Sequence, residues 1–143
     1  MKISVDLGLF DTVGLRRSEK VLRIMLEAMA QANMGYIQKN KPPGLYESGV
    51  YYQAEPRGQE NWRGIGQVMA QGYGDCEDLS AWLVAQYRMK GEKATFRLKR
   101  TRKPGGFLLY HIQVRRENGK IEDPSRRLGM GQYKPKKRRR VSV

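Results

Sequence analysis

The sequence predicts one α+β domain, and three observations carry that expectation. Helical spacing of apolar residues dominates the chain up to Gly91; two-residue alternation replaces it from Ala94 onward; and the alternating segments follow one another through short turns instead of being separated by helices. With 143 residues the chain can build one core and is too short for two comfortable ones. No internal repeat is visible.

Ile3, Val5, Leu7 and Leu9 alternate, so residues 1–10 read as a short strand or extended arm. Ser18 is a helix cap with Glu19 in the first turn, and Leu22, Met25, Leu26 and Met29 recur at helical spacing, which predicts an amphipathic helix over 18–33 with its stripe in the core. Pro42, Pro43, Gly44 and Pro56 make 41–58 a long loop, with room for a short strand at Val50–Gln53. Residues 59–71 read as a short helix, weakened by Gly64 and Gly66 and broken by Gly72-Tyr73-Gly74. Asp75 caps the next helix, about 76–90, whose buried stripe is Leu79, Trp82, Leu83 and Tyr87 with Val84 at its margin, and Gly91 stops it. Ala94, Phe96 and Leu98 then alternate with Thr95, Arg97 and Lys99 as a half-buried strand. Lys103-Pro104-Gly105-Gly106 turns the chain into the strand Phe107–Arg116, and residues 120–123 are its hairpin partner. Order should decline after Ser125, with 134–143 a disordered basic tail behind a single domain at 1–133.

Apolar residues make up 39% of the chain and the large ones are spread as far as Tyr133, which excludes a wholly disordered chain. No apolar run approaches 18 residues, so no membrane partner is expected. The N-terminal MKISVDLGLF lacks a secretory apolar stretch and the single cysteine permits no internal disulfide, so a cytoplasmic location is expected.

Cys76 begins a helix, where orphan N–H groups and the dipole favour a thiolate, and Gly74 allows a tight turn before it that would admit a substrate. Glu77 and Asp78 oppose that effect, and a lone cysteine can equally be a small buried hydrophobe. His111 is the only histidine, hence the only imidazole base available to that thiol, and also a residue that a strand can carry for no chemical reason. On its strand Leu108, Tyr110, Ile112 and Val114 form one face, and Phe107, Leu109, His111 and Gln113 the other.

Asp123 depends on the hairpin register. A two-residue Asn118-Gly119 loop pairs Val114 with Asp123 and puts the carboxylate on the wrong face. A three-residue loop, Glu117-Asn118-Gly119 with Gly119 left-handed, pairs Gln113 with Asp123, and His111 then lies diagonally across on the same face, about 7 Å away between backbones. The three-residue loop is the one expected. A thiol at a helix start, a strand histidine and a carboxylate on the next strand are the parts of a nucleophile, its base and the base's orienter. Asp123 can also be a plain turn residue before Pro124.

Gly74-Asp75-Cys76-Glu77-Asp78-Leu79 at a helix start, the histidine strand and Asp123-Pro124-Ser125 together resemble the transglutaminase-like superfamily, most closely its bacterial transglutaminase-like cysteine proteinases. The resemblance spans about 58–128 and departs from the family at Gln113, where an aromatic residue is usual. It implies a papain/transglutaminase-like core in which N-terminal helices and a Cys-bearing helix pack on a small antiparallel sheet. It also implies acyl transfer from a protein or peptide substrate through a thioester, with Cys76 as nucleophile, His111 as base and Asp123 as orienter, and no cofactor. The backbone N–H of Cys76 belongs in the oxyanion hole, with Gln71 or Trp62 as a side-chain donor, although both also read as helix surface or core. Some relatives bind calcium through acids flanking the cysteine; here Asp75 and Glu77 read as cap and solvated face, and no metal is expected. Small stand-alone domains of this kind resemble ones carried by tailed bacteriophages. A non-catalytic, virion-associated or scaffold protein retaining the fold is therefore the alternative.

The net charge is +14, of which Lys134, Lys136, Lys137, Arg138, Arg139 and Arg140 supply six, leaving +8 on the rest. Such a run can bind nucleic acid or an acidic protein, or resemble a nuclear localisation signal, or be no more than a solvated tail.

Overall fold

The computed structural model describes residues 2–5, 15–55, 60–102, 104 and 108–132. The basic run at 134–143 lies outside them. Helix and strand are mixed, and the strands form three small sheets. The order is β1 (Lys2–Val5), α1 (Leu15–Asn40), a 3-10 turn (Leu45–Glu47), β2 (Tyr51–Tyr52), β3 (Glu60–Arg63), α2 (Ile65–Gln71), β4 (Tyr73–Gly74), α3 (Cys76–Met89), β5 (Thr95–Arg102), β6 (Leu108–Arg115), β7 (Ile121–Glu122) and α4 (Pro124–Arg127).

The amphipathic helix expected over 18–33 runs from Leu15 to Asn40. Its stripe is core as predicted: Leu22, Leu26 and Met29 are buried. The stripe continues past residue 33 through half-buried Tyr36 and Ile37, so packing extends the helix beyond the strongest sequence signal. Residues 59–71 correct the single short helix: 60–63 are a strand, antiparallel to β1 with Ile3 opposite Trp62, and the helix starts only at Ile65. Gly64, extended at ψ 173°, separates the two. Nothing in a local window reveals this, because the partner strand lies at the other end of the chain.

α3 is the centre of the molecule. Every residue from Cys76 to Ala85 is buried, so its faces are all covered and Val84 is core, not margin. α1 lies against it, joined by the Arg88 guanidinium on the Glu27 carboxylate. The β5-β6-β7 sheet covers another side, with Phe96, Ile112 and Val114 buried toward the helix. Chain order after Ser125 is also greater than expected: α4 and the turn behind it are folded, Ser125 is fully buried and Tyr52 N–H donates to Leu128 O.

The hairpin adopts the three-residue loop. Val114 pairs with Glu122 and Arg115 with Ile121, Arg116 N–H donates to Lys120 O (2.8 Å), and Gly119 sits at φ 88°. A Cβ at Gly119 would meet no atom, so only backbone strain opposes one. Gly119→Ala is therefore expected to cost about 1–2 kcal/mol in chemical denaturation. An unchanged midpoint would mean the loop tolerates another register.

Candidate active site

The predicted register brings His111 and Asp123 together: His111 Nε2 lies 2.8 Å from Asp123 Oδ2. Their side chains are only 17% and 13% exposed, enough cover to make the pairing matter. Asp123 accepts three further interactions. Gln113 Nε2 donates to Oδ2 (3.1 Å), Arg126 N–H donates to Oδ1 (3.2 Å) as the cap of α4, and the Arg126 guanidinium stands 3.8 Å from Oδ2. Asp123 is thus a helix cap and a histidine partner at once. Burial pushes its carboxyl upward, but the hydrogen bonds from His111, Gln113 and the Arg126 backbone outweigh that and hold it below the usual carboxylate range. A carboxylate facing Nε2 fixes the neutral ring with its hydrogen on Nε2, which leaves Nδ1 as the basic nitrogen.

Gln113, where the resembled family has an aromatic residue, is a further member of this group, which the register places opposite Asp123 but no motif marks as functional. It lies two residues from His111 on the same face and opposite Asp123 in the register. Glu122, on the other face, anchors the strand end beside Asp123: Tyr46 and Tyr87 both donate to its carboxylate at 2.6 Å. Both phenols are pushed upward in pKa, by burial first and then by that carboxylate.

Cys76 is the first residue of α3, with Asp75 as its cap in a reciprocal capping box with Asp78. The thiol is buried, 8% exposed, beside the edge of β6. Ser80 Oγ donates to Ile112 O (3.1 Å), and the Ile112 backbone is near enough to the thiol to pull its pKa down. Cys76 thus adjoins the residue next to His111. Its hydrogen-bond acceptor, however, is Glu77 Oε1 at 3.4 Å. Burial pushes the thiol well above its ordinary pKa, the Glu77 and Asp75 carboxylates push it further, and the Ile112 backbone only partly offsets them. The helix start alone would favour a thiolate; burial first, and then the acidic surroundings, reverse the sign.

Four sequence expectations change here. Glu77 is not on a solvated face but 5% exposed against the thiol. The Cys76 N–H, expected to be free for an oxyanion, donates to the Asp75 carboxylate. Gln71 uses its amide on Tyr73 O (2.7 Å). Gly74 opens no path for a substrate, because a Cβ there would press on Asp78, Leu79 and Val68 at 3.1–3.3 Å, so the glycine serves helix packing. Trp62 is 2% exposed, and among the described residues its Nε1–H has no hydrogen-bond partner. The acids beneath the helix start also tie neighbouring chain to it: Arg63 N–H donates to Asp78 Oδ1 (2.8 Å), Glu55 N–H to Asp75 Oδ2 (3.4 Å), and the Arg63 guanidinium bridges Glu55 and Asp78.

Ligand atoms of Asp75, Cys76 and Glu77 lie within 4.8 Å of one another. Both carboxylates are already committed, Asp75 to backbone N–H groups and Glu77 to the thiol. Among the described residues no helix is long and apolar enough to cross a membrane. No protein-family model matches the chain, and neither a curated protein nor a solved structure does.

Proposed function

We propose that this chain is a cysteine-dependent acyl-transfer protein of papain/transglutaminase-like architecture, with Cys76 as nucleophile, His111 as base and Asp123 as orienter. The observation that carries the proposal is the 2.8 Å His111–Asp123 contact on the strand whose next residue, Ile112, is tied to the Cys76 helix through Ser80 Oγ and stands close enough to the thiol to lower its pKa. In the reaction His111 Nδ1 takes the thiol proton as Sγ bonds to the acyl carbon. The tetrahedral intermediate then collapses to a thioester, and the imidazolium returns that proton to the departing amine. Water or an acceptor amine cleaves the thioester, again deprotonated by His111. Of the two candidate side-chain donors for the oxyanion, Gln71 is engaged and Trp62 Nε1–H is the one without a partner among the described residues.

The thiol rests protonated, so proton transfer accompanies attack instead of preceding it. His111→Ala is accordingly expected to slow iodoacetamide alkylation of Cys76 at neutral pH by about tenfold or more. It should also abolish formation of an acetyl adduct on Cys76 from p-nitrophenyl acetate. Equal rates in both proteins would refute the base role.

One observation favours a second reading, a virion-associated or scaffold protein that keeps the fold without the reaction. The thiol is buried on Glu77, and two surface hollows among the described residues, one between α1 and β5 and one beside Trp82, border none of the three residues. That reading expects Cys76→Ala to leave every function and the stability of its assembly unchanged.

A further inference from the structure

The face of the sheet that carries His111 is cationic, and we propose that it binds acidic peptide, placing a carboxylate side chain of the substrate beside the dyad. The inference rests on the acyl-transfer reading and names its substrate class.

Lys99 stands directly opposite His111 in the β5–β6 register, Arg97 opposite Gln113, and Thr101 opposite Leu109. Paired residues share a face with Cβ atoms about 5 Å apart. Lys99 is exposed, and among the described residues no carboxylate pairs with it. Arg97 is half-buried with Nη1 on Gln113 Oε1 (2.7 Å), so its charge is held close to the dyad without being neutralised. The Arg126 side chain is 69% exposed on the Asp123 side. Arg100, on the opposite face of β5, is by contrast paired with Glu19 at 3.2 Å.

The acids of the site do not cancel this field outside. Asp75, Glu77 and Asp78 are 7%, 5% and 2% exposed, and Asp123 is covered by His111, Gln113 and Arg126. A ligand approaching His111 from solvent therefore meets Lys99 and Arg126 first. Nucleic acid would also suit the charge. The peptide is favoured because these cations frame an imidazole–carboxylate pair whose chemistry needs an acyl carbon. In addition Leu109, 54% exposed and two residues from His111 on the same face, offers an apolar contact beside the charges.

The test uses the full chain with Cys76→Ser, and a fluorescein-labelled peptide of alternating glutamate and leucine, read by anisotropy near physiological salt. Its glutamine counterpart is the neutral control. Lys99→Glu and Arg126→Glu should each weaken binding of the glutamate peptide on the order of fivefold, and Lys99→Gln about half as much on a logarithmic scale. Lys39→Glu, the same charge change on exposed α1, should leave it nearly unaltered. Equal losses at Lys39 and Lys99 would reduce the effect to net charge and overturn the proposal. So would a single-stranded DNA oligonucleotide that shows the Lys99 dependence when the peptide does not. Glutamate-peptide binding that depends on Lys99, with no acyl adduct at Cys76 in the unmodified chain, would keep this inference and sink the acyl-transfer reading. His111-dependent alkylation with peptide binding indifferent to Lys99 would do the reverse.

Discussion

Replacing Glu77 with glutamine is expected to raise the rate at which iodoacetamide alkylates Cys76 at neutral pH by on the order of tenfold or more. Glu77 Oε1 accepts the thiol's hydrogen bond at 3.4 Å and its charge opposes ionisation of the sulfur. At that separation an effective dielectric near 20 gives a gross repulsion of several kcal/mol, and each 1.36 kcal/mol recovered is about a tenfold gain in thiolate. Glutamine keeps the shape and removes the charge. A lower pKa makes each thiolate somewhat less nucleophilic, but far below the pKa the gain in thiolate fraction outweighs this. Burial remains in the variant, so the thiol should still ionise above its ordinary range. An unchanged or slower rate would show that desolvation alone holds the thiol protonated.

Asp78→Ala should destabilise the protein by about 3 kcal/mol or more in chemical denaturation. The carboxylate, 2% exposed, accepts N–H bonds from Arg63 and Asp75, and its loss leaves two buried donors unsatisfied and the Arg63 cation short of a counter-charge. It also dissolves the capping box that starts α3. A loss under about 1 kcal/mol would mean water replaces the carboxylate there.

The same residue sets a pH dependence. Burial pushes Asp78 up to about 7, against the pull of the Arg63 and Asp75 backbone N–H groups. A carboxyl whose folded pKa lies above its unfolded value contributes stability that is fully present below about pH 4 and is lost as pH rises through about 7. The stability of the protein relative to Asp78→Asn should therefore fall across that window, by at most about 1.4 kcal/mol per pH unit. A flat difference would mean the carboxyl is ionised throughout.

Much of the framework follows from short-range pattern. The α1 stripe, the Asp75 cap, the Gly91 stop and the alternation of β5 and β6 are each written within a window of a dozen residues, where spacing reports which side is buried. The hairpin register was legible for the same reason: only a left-handed residue completes the three-residue loop, and Gly119 occupies that position. What failed was non-local. The β3 strand exists because β1, about sixty residues earlier, supplies its hydrogen bonds, so no window over 59–71 could show it. Glu77 has the composition of a surface residue, and its burial depends on what packs over the start of α3.

For the site, the sequence by itself determined that a thiol begins a helix and that an imidazole and a carboxylate share one face of a hairpin. These are consequences of local backbone periodicity and turn chemistry. Only the tertiary structure decided the electrostatic state of the sulfur. A helix start pulls a thiol toward ionisation over one turn of chain, whereas desolvation and the fields of Glu77 and Asp75 depend on what surrounds the group in space. Those terms outweigh the dipole here, so Cys76 rests as a protonated thiol beside the strand that carries His111.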